Sequence, residues 1–153
     1  MNEIILMAHV LFGVACLLVA VWLLVDVLHA SEANLARIRR LSWAAAGCMW
    51  IAFLIAGYWY VTKYPADKAV ILKGPWPFAH TFFMETKEHL VILLLLLASY
   101  LPIAAANDLA ASREARRLVL CLTAAMAGLA LLVEGHGAII AAGVKLALLA
   151  QPH

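Results

Sequence analysis

The stretch "HTFFMETKEHLVILLLLLASY" sets His80, Glu85, Lys87, Glu88 and His89 directly before or inside a run of leucines. His9, Glu134 and His136 also stand within apolar sequence. Ionisable groups are expensive in hydrocarbon, and where a chain keeps them they mark candidate functional sites. Neutral imidazole and ionised carboxylate are complementary ligands for zinc, iron or manganese. A bound cation would also offset the charge of buried carboxylates. The candidate metal set is therefore His9, Glu85, Glu88, His89, Glu134 and His136. Within it, Glu85 and Glu134 are the candidate catalytic bases acting on metal-bound water.

The identity of the metal stays open. The candidate site holds no cysteine, which disfavours a thiolate-dominated copper centre. Met7 and Met84 lie at similar depth and keep copper among the alternatives. Glu85 and His89 are four residues apart and share a helix face. That spacing differs from the Glu-x-x-His pattern of carboxylate-bridged diiron bundles. No HExxH peptidase signature is present.

Haem b is the main alternative. A haem between membrane helices takes axial histidines, and His9, His89 and His136 are the cofactor-binding candidates. His9 with His136, or His9 with His89, would bridge two helices. A quinone or a periplasmic donor would then be the redox partner. Three glutamates beside a dianionic porphyrin weigh against this reading. A third alternative is a proton-handling or structural subunit of a larger membrane complex, or a homo-oligomer. Here the polar residues stop midway, because the other halves of the last two spans are rich in leucine and alanine. The sequence does not separate an enzyme from an electron carrier.

The remaining polar residues have simpler readings. His80 is expected at the membrane interface. Lys87 is expected to reach a carboxylate or to snorkel outward. Asp26 and His29 are close enough on one helix to touch, with Arg37, Arg39 or Arg40 able to neutralise Asp26; structural anchoring is the expected role. Cys16, Cys48 and Cys121 form no CxxC pair and read as small residues in apolar segments.

These side chains must be held by membrane helices. Of 153 residues, 67% are hydrophobic and only 13% are charged, more apolar surface than a soluble domain of this length could bury. Four segments, roughly 5–28, 42–62, 79–101 and 118–142, are long enough to cross about 30 Å of hydrocarbon as helices. Short alternating strands are absent, which argues against a β-barrel. The expectation is a single all-α domain over 1–153, an integral membrane four-transmembrane-helix bundle in contact with lipid. The first segment resembles a signal peptide only weakly, since its start carries Glu3 and no lysine or arginine. A net charge of +2 gives no reason to expect a nucleic-acid partner.

Two loops carry arginine clusters, Arg37, Arg39 and Arg40 in one and Arg113, Arg116 and Arg117 in the other. The positive-inside rule puts both in the cytoplasm, with both termini and the central loop on the periplasmic side of a bacterial inner membrane. Trp43, Tyr58, Trp59, Tyr60 and Trp76 flank the spans, as headgroup-level aromatics do. The central "KYPADKAVILKGPWPF" is too polar for a fifth span, although "AVIL" suits the interface. Pro102 is expected to end or kink its helix. The apolar tail from Leu118 to Ala150 exceeds one straight span, so it either protrudes or breaks near Gly135 and Gly137. A helical rise of about 1.5 Å per residue puts His9, Glu85, Glu134 and His136 in nearly one layer, with Glu88 and His89 just below.

Overall fold

The structure, a computed structural model, describes residues 2–150; Met1 and residues 151–153, including His153, lie outside the described residues. Five α-helices follow one another: α1 (Asn2–Leu28), α2 (Leu35–Thr62), α3 (Tyr64–Lys73), α4 (Glu85–Ala105) and α5 (Arg113–Leu149). A π-helical stretch, Ala79–Met84, leads directly into α4. Four helical segments are long and apolar enough to cross a membrane: Ile4–Leu28, Leu35–Thr62, Ala79–Ala105 and Arg113–Leu149. The expected four-helix count is therefore corrected to five, because ten residues of the central loop form α3. That helix is too short to span a bilayer, which needs roughly 17–25 residues.

The long helices form a ring in which α1 packs on α2 and α5, and α4 packs on α5 and α2. Short connections force neighbours to run antiparallel. Asn34 builds the first turn: its amide donates to the carbonyls of Asp26 and His29 at 3.2 Å each, and its oxygen accepts from the Ser31 N–H at 2.8 Å. Ser112 caps α5, its hydroxyl accepting from the Ala115 N–H at 3.1 Å. This cap satisfies one of the donors that every helix start leaves open.

Proline and glycine act differently from their sequence-level expectation. Pro102 lies inside α4, and the helix runs on to Ala105. Gly135, Gly137 and Gly143 do not break α5, which continues unbroken for 37 residues. The glycines allow close approach instead. A methyl group at Gly143 would come within 2.6 Å of Ala79 Cβ, so the π-helical stretch can lie directly on α5. Gly74, which follows α3, is pressed in the same way onto Ala147. Together these contacts fasten α3 and its following loop to the C-terminal part of α5.

Candidate functional site

Between the helices, at the end of the bundle nearest α3, lies a cavity of about 730 Å³. Its walls are mostly apolar. The polar side chains on it are His9 from α1, Tyr60 from α2, Asp67 from α3, Lys87 and Glu88 from α4, and Glu134 from α5. Each of the five α-helices therefore contributes at least one, and α4 contributes two. Cavities of about 300–1,000 Å³ with apolar walls and a few convergent polar groups are typical of small-molecule and cofactor sites.

The six candidate residues separate into two groups. His9, Glu88 and Glu134 line the cavity, whereas Glu85, His89 and His136 do not. Glu85 and His89 are exposed on the outside of α4. They share a face as their spacing requires, yet that face points away from the cavity. His136 packs edge-on against Phe83, with ring centroids 5.1 Å apart. Regular helix geometry separates Glu134 from His136 by about 200°, and α5 has no distortion at Gly135 that would bring both to one site. Among the described residues, no group of three or more His, Cys, Asp and Glu side chains is placed to hold a metal ion.

His9 has a defined tautomer. Its Nδ1 lies 3.0 Å from the Ala52 carbonyl oxygen on α2. A carbonyl can only accept, so Nδ1 carries the proton and the neutral ring keeps its lone pair on Nε2. A ligating histidine is commonly arranged this way, with one nitrogen donating to a carbonyl and the other left as the donor atom for a metal. His89 and His136 have the same tautomer for a local reason: each donates Nδ1–H to the carbonyl one helical turn back, at 2.8 and 2.7 Å.

Lys87 and Glu134 face the cavity from adjacent helices. Each charged head occupies space left by a glycine. A methyl at Gly137 would meet Lys87 Nζ at 3.0 Å, and one at Gly13 would overlap the Glu134 carboxylate. Among the side chains of residues 4–150, no carboxylate oxygen lies within 4.0 Å of Lys87 Nζ; the ion pairs at that distance are Arg37–Asp26 and His80–Glu85. Of the two expectations for Lys87, outward snorkelling is replaced by an inward-facing ammonium, and contact with a carboxylate is not made within 4.0 Å among the side chains of residues 4–150.

Glu88 is held by Tyr60, whose hydroxyl donates to Glu88 Oε1 at 2.6 Å. Tyr60 stacks on Tyr64, with centroids 5.4 Å apart. Tyr64 is itself buried, and its hydroxyl lies 2.9 Å from His80 Nδ1. His80 is only 4% exposed, against the expectation of an interfacial side chain. The reason is α3, which covers it. Burial raises the Tyr64 hydroxyl well above its ordinary range, and neighbouring Tyr60 and Glu88 add to the effect. Burial also raises the carboxyl of Asp67.

Sequence reasoning missed Tyr60 and Tyr64 as partners of the acidic and imidazole groups. The available signal is the tight succession Tyr58, Trp59, Tyr60 and Tyr64, of which the first three read as a headgroup-level belt and Tyr64 carries no reading. No family model matches the chain, and no curated protein or solved structure matches it either.

Proposed function

We propose that this chain is a b-type haem protein of a bacterial inner membrane, carrying electrons at the periplasmic side with a quinone or a periplasmic protein as partner. The observation that carries this reading is His9 on the wall of the cavity, with Nδ1 committed to the Ala52 carbonyl and Nε2 free to ligate. The number of ligands required decides between haem and a bare ion. A structural zinc or comparable ion takes four ligands, at least three of them from protein. Haem iron takes only its axial ligands from the protein. One well-oriented histidine suits haem, and the dispersed Glu/His set does not suit a bare ion.

Three carboxylates line the cavity, Asp67, Glu88 and Glu134, with Lys87 as the cation on the same wall. Glu88 is hydrogen-bonded to Tyr60, and Glu85 lies outside the cavity. Met49 and Met84 line the same cavity, and either thioether would be a candidate to hold the iron together with His9. His/Met ligation raises the potential of a haem relative to bis-histidine ligation. The arginine loops support the orientation, with the cavity in the periplasmic half.

An absorption spectrum of detergent-purified protein from haem-replete cells tests the reading. The expected result is a Soret band that His9→Ala removes and that His89→Ala and His136→Ala leave in place. Absence of a Soret band in the wild type, even after adding haemin, overturns the proposal. So does a His9→Ala variant with full haem content.

A further inference from the structure

We propose that Lys87 is the anion-recognising residue of the cavity and takes a carboxylate carried by an otherwise apolar occupant. Three observations converge on it. The ammonium sits on the wall of an apolar cavity, where an unpaired charge is costly. The notch at Gly137 makes room for it, so a larger residue on α5 would push it aside. Among the side chains of residues 4–150 it has neither an ion-pair partner inside 4.0 Å nor a hydrogen-bond acceptor, which leaves its donors to a ligand.

Glu134, its carboxylate seated on Gly13, lines the same cavity and does not come within 4.0 Å of the ammonium. A ligand with an apolar body and a carboxylate would place its body among Phe53, Trp59, Val91 and Ile92 and its charge on Lys87. A haem propionate and the head of a long-chain fatty acid are the two sources of that chemistry. Assigning the carboxylate to a propionate rests on the haem reading; recognition by Lys87 does not.

The test compares each acid with its ester on the full chain in nanodiscs. One pair is haem and its dimethyl ester, followed by the Soret band. The other is a dibrominated fatty acid and its methyl ester, followed by quenching of the cavity-lining Trp59, with Trp59→Phe as the control. A charge-assisted hydrogen bond predicts that an acid binds at least about tenfold tighter than its ester. Lys87→Met and Lys87→Gln should reduce that ratio to near one, and Lys87→Arg should retain most of it. Discrimination in the haem pair supports haem as occupant. Discrimination confined to the fatty-acid pair keeps the Lys87 site and shows that a haem propionate is not the carboxylate it takes. Equal binding of acid and ester in both pairs overturns the Lys87 proposal, even if a His9-dependent Soret band forms. Discrimination unchanged in both Lys87→Met and Lys87→Gln overturns it as well.

Discussion

The two ends of the bundle treat charge in opposite ways. At the end nearest the arginine loops, Asp26 is buried and accepts two hydrogen bonds from the Arg37 guanidinium, at 2.6 and 2.8 Å. Around that pair Leu23, Val27, Ile38, Leu101, Leu109 and Val119 are fully buried in one continuous core. At the end nearest α3, Lys87 and Glu134 face a cavity instead of closing on each other. Both ends keep charge in an apolar setting, but Arg37 and Asp26 close on each other whereas Lys87 and Glu134 do not come within 4.0 Å. A two-pronged bond to one carboxylate is a structural solution. Opposed charges each seated beside a glycine and open to a cavity suit the binding of a third group.

Truncation should expose the difference most strongly. Leu23 has no exposed surface, and Leu23→Ala would leave a void that packed neighbours cannot fill, costing about 2–5 kcal/mol. Val91 already lines the cavity, so Val91→Ala enlarges existing space and should cost well under that, about 1 kcal/mol or less. Thermal unfolding in detergent measures both. Equal losses would mean that the cavity wall is as tightly packed as the core, and the contrast between the ends would fail.

The second effect concerns how α3 is held. An alanine at Gly74 would bring its methyl group within 2.9 Å of the Ala147 Cα, which is backbone and cannot swing aside. Such overpacking typically costs about 1–3 kcal/mol. Gly74→Ala should therefore lower the unfolding midpoint. Gly57→Ala, where the added methyl meets nothing within 4 Å, should leave it unchanged or raise it. A neutral Gly74→Ala would show that α3 is loosely attached and that the cavity mouth is not fixed by this contact.

The spans were legible because hydrophobic length alone specifies a membrane helix. The residues 79–101 and 118–142 expected in the last two spans both lie within observed helices, which run further at their ends. What the sequence hid was rotation. His9, Glu85, Glu134 and His136 were expected at one depth, yet depth does not say which face a side chain occupies. On α4 the preceding π-helical stretch, with its wider turn, alters the register at which the helix enters the bundle. Lys87 and Glu88 turn to the cavity, while Glu85 and His89 turn out. The helix α3 was hidden for a different reason: ten residues are too few to be a span, and Pro65 near the start reads equally well as a loop. Burial of His80 follows from α3 and was invisible without it.

The smallest predicted effect separates the cavity mouth from the closed end by pH. Asp67 on α3 faces the cavity, and burial raises its carboxyl above the ordinary aspartate value of 3.8. The folded chain then holds the Asp67 proton over a range in which the unfolded chain has released it. Stability rises with pH only where the unfolded state binds more protons, so here it must fall as pH rises from about 3.8 to the raised folded value. The contribution is fully present below that window and lost above it. Unfolding midpoints of wild type and Asp67→Asn, compared across this range, should converge at its acid end and diverge as pH rises, with Asp67→Asn the more stable. An Asp67→Asn curve parallel to wild type would place the carboxyl in free contact with water. The cavity would then open at α3 broadly enough to hydrate a charge, and its apolar character would be confined to the layer of His9 and Lys87.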